Sequence, residues 1–104
     1  MRVKVGQHTV DISYSFSEDN EIAYDVYVEH TDKSVAEDVM DLLLDAMSHT
    51  EGSIDTEEIE DKYNVSAVFF IADTEDSDDL IELKKSNWFD DYRDAIKKLR
   101  TINN

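Results

Sequence analysis

Apolar and polar residues alternate along two stretches near the start of the chain. The apolar positions are Val10, Ile12, Tyr14 and Phe16 in the first stretch, and Ile22, Tyr24, Val26 and Val28 in the second. A period of two is typical of a β-strand with one buried face. Residues 18–20 predict the turn between these strands. Gly6 predicts an earlier hairpin turn, because glycine suits the first central position of a type II′ turn. We therefore expect an antiparallel meander.

The next segment has the apolar spacing of a helix. Ser34 followed by Glu37 matches a capping box, in which each side chain accepts a hydrogen bond from the other residue's free backbone N–H. The apolar positions are Val35, Val39, Leu42, Leu43, Ala46 and Met47. Gly52 is expected just past the carboxyl end of this helix. Residues 55–62, which are rich in carboxylates, predict a short second helix.

The rest of the chain predicts two strands and a last helix. Residues 65–72 are rich in β-branched and aromatic side chains, which is typical of a central strand buried on both faces. Residues 80–84 predict a returning strand, and Ser86 or Asn87 is expected to cap the last helix. The apolar positions of that helix are Trp88, Tyr92, Ala95, Ile96 and Leu99. Asp90 and Asp91 would then lie in its first turn, where carboxylates suit the helix dipole.

The order of these elements indicates an α+β fold. Strands come first, then helices, then further strands and a terminal helix, so that a single antiparallel sheet of about four to five strands is expected, with two main helices packed on one face. Residues 1–104 are expected to form a single acidic domain, because the chain has the length of one ordinary domain and contains no proline-rich or glycine-rich linker.

Charge changes the picture more than any motif does. The chain has 26 Asp and Glu against 10 Lys and Arg, a formal net charge of -16. Such a charge repels nucleic acid and anionic membrane surfaces and attracts basic protein surfaces. We therefore expect neither direct nucleic-acid binding nor membrane binding. The chain contains no cysteine, and its longest apolar run, residues 67–72, is far too short to span a bilayer, so a cytoplasmic protein is expected.

No residue pattern indicates catalysis. A phosphate-binding loop needs several glycines, and this chain contains only Gly6 and Gly52. Three histidines, His8, His30 and His49, lie far apart in the sequence and lack the close spacing of zinc ligands. We expect no cofactor and no metal ion, and a protein that is not an enzyme.

The acidic residues are the candidates for a binding site. Glu37, Asp41 and Asp45 are four residues apart, which predicts a row of carboxylates on the solvent side of the first helix. No lysine or arginine occurs between Ser34 and Asp61 to offset them. The full set of candidate partner-binding residues is Asp25, Tyr27, Glu29, Glu37, Asp38, Asp41, Asp45, Asp55, Glu57, Glu58, Asp61, Glu75, Asp76, Asp78 and Asp79.

Carboxylates held in fixed positions on a folded domain can imitate the charge of a phosphate backbone. The leading hypothesis is an inhibitor that mimics nucleic acid and blocks the binding surface of a basic target protein. The charge and size are similar to those of small acidic inhibitors that phages and mobile elements encode. The alternative is an acidic regulatory or assembly subunit, antitoxin-like or adaptor-like, that binds its partner without mimicry. Acidity that serves only solubility, or growth in high salt, remains a further interpretation.

Overall fold

The computed structural model describes residues 1–19, 21–47 and 54–102. Their elements are β1 (Arg2–Val5), β2 (His8–Ser17), β3 (Glu21–His30), α1 (Lys33–Ala46), β4 (Ile54–Ile59), β5 (Lys62–Asp73) and α2 (Asp78–Arg100). The strands form one antiparallel five-stranded sheet in the order β1-β2-β3-β5-β4. This confirms the predicted α+β class. Asn20 of the predicted turn and Gly52 lie outside the described residues.

Both helices pack on the same face of the sheet. Alternate residues of β2, β3 and β5 are buried on this face and form one core with α1 and α2. The fully buried large side chains are Val3, Val10, Ile12, Val26, Val28, Met40, Leu43, Val65 and Leu99. No polar or charged residue in the described part of the chain is buried. The alternation of apolar residues over 10–16 and 22–28 therefore correctly predicts which side of each strand faces the helices.

The first hairpin turn forms where glycine predicts it. Val5 pairs with His8, so that Gly6 and Gln7 are the two turn residues. Gly6 has a φ of 62°, in the left-handed region that this position of a primed turn requires.

A hairpin of β4 and β5 takes the place of the acidic helix predicted for residues 55–62, so that prediction is wrong. Residues Ile54 to Ile59 form β4, which pairs with β5 from Ala67 to Lys62. A helix over residues 55–62 would have only Ile59 to bury, whereas a strand obtains backbone hydrogen bonds from β5. The turn contains no glycine, and Glu60 takes the positive φ of 56° instead.

The prediction that residues 65–72 are buried on both faces is also wrong. Val65, Ala67 and Phe69 face the core, but Val68 is only half-buried and Phe70 is 71% exposed. The residues between the core positions therefore lie on a face that no helix covers. A continuous apolar run was a misleading signal here, because the outward positions of this strand are apolar without being buried.

α2 is longer than the sequence indicates. Residues 80–84, predicted as a strand, lie in its first turns, and its N-cap is Ser77 rather than Ser86 or Asn87. Ser77 Oγ accepts a hydrogen bond from Leu80 N at 3.3 Å, and Asp78 and Asp79 occupy the first turn. Asp90 and Asp91 are therefore in the middle of the helix, where they have no capping role.

The cap of α1 also lies earlier than predicted. Asp32 is the N-cap, and its Oδ1 accepts hydrogen bonds from Ser34 N at 2.9 Å and Val35 N at 3.5 Å. Ser34 lies inside the helix, so the predicted capping box does not form. Leu42, predicted for the core, is 38% exposed.

An aromatic stack fixes α2 against the sheet. Trp88 lies between Tyr24, at 3.9 Å and 4° between ring planes, and Tyr92, at 5.1 Å and 11°. Tyr14 of β2 meets the edges of Trp88 and Tyr92. Burial raises the pKa of Tyr92 to about 12, and the neighbouring Tyr14 adds to the rise.

Neither described helix has both the length and the apolar character needed to cross a bilayer. α2 is the longer of the two, and charged residues are distributed along its whole length.

The position of the α2 cap gives a stability prediction. Ser77→Ala removes the acceptor for Leu80 N and should lower the free energy of unfolding by about 1 kcal/mol. The matched control is Ser86→Ala, at an exposed position inside the helix, which should leave stability unchanged or raise it slightly. Urea unfolding followed by circular dichroism measures both. A larger loss from Ser86→Ala would mean that the helix begins where the sequence pattern suggested.

The buried Tyr92 gives a prediction for alkaline solution. Its pKa is raised from 10.0 to about 12, so the stability linked to its protonated hydroxyl is fully present below pH 10.0 and is lost as the pH rises to about 12. Over this range the unfolded chain binds fewer protons than the folded protein does. Tyr92→Phe should therefore lose less stability than the unmodified protein between these pH values, as measured by urea unfolding. Equal losses would show that Tyr92 ionises as it does in an unfolded chain.

Candidate partner-binding surface

The face of the sheet opposite the helices is open and carries part of the predicted site. We call it the open sheet face and define it by Arg2, Lys4, Thr9, Asp11, Ser13, Ser15, Asp25, Tyr27, Glu29, Asp55, Glu57, Asn64, Ser66, Val68 and Phe70. All of these residues are half-buried or exposed. In β1, β2, β3 and β5 the neighbours of these residues point toward the core, and Asp55 and Glu57 of β4 are paired with Ser66 and Asn64 of β5 on the same side.

Strand pairing brings these residues into rows across the sheet. One row is Arg2, Asp11, Glu29, Asn64 and Glu57, and the next is Ser13, Tyr27, Ser66 and Asp55. Four of the predicted residues, Tyr27, Glu29, Asp55 and Glu57, therefore belong to adjacent rows, and Asp25 lies in the row beyond. Asp11 is not among the predicted residues, although its place between Val10 and Ile12, on the polar side of a strand, is the signal that could have identified it.

Two contacts order the centre of this face. The Tyr27 hydroxyl lies 3.3 Å from Ser15 Oγ, so the two share a hydrogen bond. Glu29 Oε1 lies 3.4 Å from Lys62 Nζ. This ion pair is solvent-exposed and contributes at most about 1 kcal/mol, but it reduces the negative charge of the row.

A second group of predicted residues lies on the outer side of α1. Asp38, Asp41 and Asp45 are exposed. Glu37 points toward β4, where its Oε2 accepts a hydrogen bond from Thr56 Oγ1 at 3.2 Å. The predicted row of Glu37, Asp41 and Asp45 on the solvent side of the helix is therefore wrong for Glu37. The exposed row consists of Asp38, Asp41 and Asp45. The cause is the helical angle of 100° per residue, which turns Glu37 toward the sheet edge.

The contact between Glu37 and Thr56 places α1 beside the edge strand β4. Glu58 lies on the same side of β4 as Thr56, because side chains alternate along a strand. We call Asp38, Asp41 and Asp45, which lie on the outer side of α1, the acidic ridge. Asp61 is exposed in the turn that joins β4 to β5.

The remaining predicted residues, Glu75, Asp76, Asp78 and Asp79, lie at the other end of the sheet. β5 has 12 residues between Asp61 and this loop, so the two ends are about 40 Å apart. Asp76 Oδ2 accepts a hydrogen bond from Asp73 N at 3.3 Å and pairs with Lys84 Nζ at 3.5 Å. Asp78 and Asp79 stabilise the start of α2. Asp76, Asp78 and Asp79 therefore have contacts or positions that stabilise the fold, Glu75 is exposed, and none of the four joins the other groups.

The carboxylates of α1 and β4 form no ion pair with a basic residue of the described ranges. Over the described ranges, the ion pairs join Lys62 to Glu29, Lys84 to Asp76 and Lys85 to Glu82. None of them involves a residue of the acidic ridge. The negative charge of the ridge is therefore left for solvent or for a partner.

Two histidines that lie far apart in the sequence are neighbours in the structure. The rings of His8 and His30 are 5.8 Å apart at 83°, because β2 and β3 pair beside them. His30 Nδ1 accepts a hydrogen bond from Asp32 N at 2.9 Å. A shallow depression of about 240 Å³ next to His30 is lined by Arg2, Asp11, Glu29 and Lys62, among others. Within the described residues, no cluster of three or more histidine and carboxylate side chains has the arrangement of a metal site.

The structure thus brings the open sheet face and the acidic ridge to the two sides of one edge strand. Asp55 and Glu57 lie on one side of β4, and Thr56, which contacts Glu37 of α1, lies on the other. Comparison of the chain with protein-family models, with curated proteins and with solved structures finds no match.

Proposed function

We propose that this protein binds the basic surface of a nucleic-acid-binding protein and blocks it by imitating the charge of the nucleic acid. The observation that carries this proposal is the acidic ridge, whose exposed carboxylates stand on a helix with a buried inner face and form no ion pair within the described residues. The proposal is one of binding, without catalysis, cofactor or metal. It places the protein in the cytoplasm, where it would meet its target.

The spacing of the ridge supports the proposal. Asp38, Asp41 and Asp45 place three charges along about 10 Å of helix axis, at 1.5 Å per residue. The mean separation of these charges along the axis is therefore about 5 Å, compared with about 3.4 Å between successive phosphates of one DNA strand. A basic cleft that binds phosphates would also meet a line of carboxylates on α1, at a lower charge density than that of one strand.

The rigidity of the scaffold also supports it. Ala36, Met40 and Leu43, on the opposite side of α1, are fully buried against the sheet. The carboxylates are therefore held on a helix that cannot easily turn or move away. A partner that binds them does not have to order the backbone first, which would otherwise weaken the complex.

Removal of the ridge charges tests the proposal. The triple change Asp38→Asn, Asp41→Asn and Asp45→Asn should leave the fold intact, because all three side chains are exposed. It should weaken binding to the target by about tenfold or more and slow association, since surface charges mainly govern encounter. The target is first captured from lysate at low salt. Its affinity is then measured with and without duplex DNA or RNA, which should compete with the protein.

The matched control is Asp90→Asn, Asp91→Asn and Asp94→Asn, an equal loss of charge at exposed positions in the middle of α2. It should change the affinity by less than about twofold. Binding that nucleic acid does not displace, or that the ridge variant retains in full, would rule out mimicry.

A second function is favoured by the open sheet face. Phe70 is 71% exposed, and Tyr27 lies half-exposed near the centre of the same face. Exposed aromatic side chains on a flat surface are typical of protein interfaces. An adaptor or assembly subunit would use these residues rather than the ridge. Phe70→Ser would then weaken partner binding, and nucleic acid would have no effect. Trp88 is 8% exposed and so is not available for this role.

A further inference from the structure

The outer edge of β2 has no paired strand along about half of its length. β1 pairs with β2 only from His8 to Asp11, and Ile12 N then donates a hydrogen bond to Met1 O at 2.8 Å. Residues 13–17 of β2 continue beyond β1 and pair with β3 on their other side. The described residues place no strand along their outer edge.

The unpaired backbone groups belong to Tyr14 and Phe16. In an antiparallel strand the N–H and C=O of one residue point to the same side, and those of the next residue point to the other. Since Ile12 N points toward β1, the groups of Tyr14 and Phe16 also point outward. Ser13 and Ser15 are paired with Tyr27 and Asp25 of β3. The edge therefore presents backbone donors and acceptors in the spacing that an additional strand needs.

This edge lacks the charges that protect the other strand edges. β4 carries Asp55, Glu57 and Glu58, and β1 carries Arg2 and Lys4. Charged side chains on an edge strand prevent other chains from pairing with it. Residues 12–17 contain no charged residue, although 35% of the chain is charged. The absence of protection at this edge is consistent with a binding role.

An apolar groove runs beside the same edge, on the helix side of the sheet. It has a volume of about 380 Å³ and is lined by Met1, Tyr14, Phe89, Tyr92 and other residues. It continues past Ile96 as a second depression of about 160 Å³, which shares Met1 and Tyr92 with the first. Tyr14 is 42% exposed there. Side chains of an added strand would enter this groove at every second position.

The rim of the groove is basic in an otherwise acidic protein. Arg93 lines both depressions, and Lys97 and Arg100 line the second. At the other end of the edge, Lys85 Nζ lies 4.4 Å from the centre of the Phe16 ring, and it also pairs with Glu82. Arg93 and Lys85 lie next to this edge, which has no charge of its own, and Lys97 and Arg100 lie farther along the groove, beside Met1. The chemistry of the groove therefore fits an apolar segment with carboxylates at its ends.

We infer that the outer edge of β2 at residues 13–17 binds an extended segment of a partner protein as a sixth strand. The segment has apolar side chains at alternate positions, which fill the groove, and acidic residues at its ends, which meet Arg93, Lys97 and Lys85. This mode of binding takes its affinity from main-chain hydrogen bonds and its specificity from alternate side chains. The site is distinct from the acidic ridge, because the ridge lies on α1, which packs on β3 and β5, whereas this edge belongs to β2.

A synthetic peptide tests this inference. The probe has the sequence Glu-Glu-Val-Ser-Leu-Ser-Val-Glu-Glu with blocked ends, and binding is followed by NMR on the full chain. The backbone amides of Tyr14 and Phe16 should shift and become protected from hydrogen exchange. The amides of Ser13 and Ser15, which are already paired with β3, should gain little protection. Failure of the Tyr14 and Phe16 amides to respond at millimolar peptide would overturn the inference.

A pair of variants tests the position and the charge of the site. Arg93→Glu reverses a charge on the groove rim and should weaken peptide binding about tenfold. Lys98→Glu makes the same change of charge at an exposed residue of the same helix that does not line the groove, and should change binding less than about twofold. A peptide with lysine in place of each glutamate should bind more weakly to the unmodified protein.

Two outcomes contradict the proposed partner. Equal effects of Arg93→Glu and Lys98→Glu would mean that only net charge matters. Self-association of the free protein, with Tyr14 and Phe16 amides protected in a concentration-dependent way and not released by the peptide, would assign this edge to a second copy of the chain.

Discussion

Burial of one face of the sheet is the constraint on which the rest of the structure depends. The apolar residues of β2, β3 and β5 are sufficient for one interface with two helices, and the described core is this single layer. Every charged side chain must then lie on the open sheet face, on the outer sides of the helices or in turns. With a net charge of -16, the result is a small protein whose surface carries carboxylates on nearly every side. Their placement follows from the core and not from a separate requirement.

Within this arrangement, neighbouring groups decide which carboxylates are available for binding. Asp76 is occupied by a backbone N–H and Lys84, and Glu29 by Lys62. Asp38, Asp41 and Asp45 have no such contact, because α1 turns them away from the sheet and no cation of the described chain lies close to them. The same helix geometry directs Glu37 to Thr56, where it helps to hold β4. Residues of the same type within one turn of a helix thus have different roles.

The sequence predicts the fold class and most of the core, because period-two and helical spacing record which side of an element is buried. It does not predict β4, since the turn at Glu60 contains no glycine and residues 54–59 have no alternation of apolar and polar side chains. The extended conformation of residues 54–59 is decided by pairing with β5, and strand pairing depends on residues that are distant in the sequence. The start of α2 was missed because residues 80–84 have the composition of a strand, whereas Ser77 and two aspartates fix the helix there. The sequence could not predict which candidate binding residues of β3 and β4 lie together. That grouping depends on the strand register, which the composition does not contain.

Trp88 is an intrinsic fluorescent probe of how α2 packs against the sheet. It is the only tryptophan of the chain, and it stacks between Tyr24 of the sheet and Tyr92 of α2. Tyrosine transfers excitation energy to a tryptophan at such short range, and the efficiency falls steeply as the rings separate. The contribution of Tyr24 to this transfer therefore depends on α2 being seated on β3, whereas Tyr92 moves with Trp88 on the same helix. Movement of that helix, whether by heat, denaturant or a bound partner, changes a signal that needs no added label.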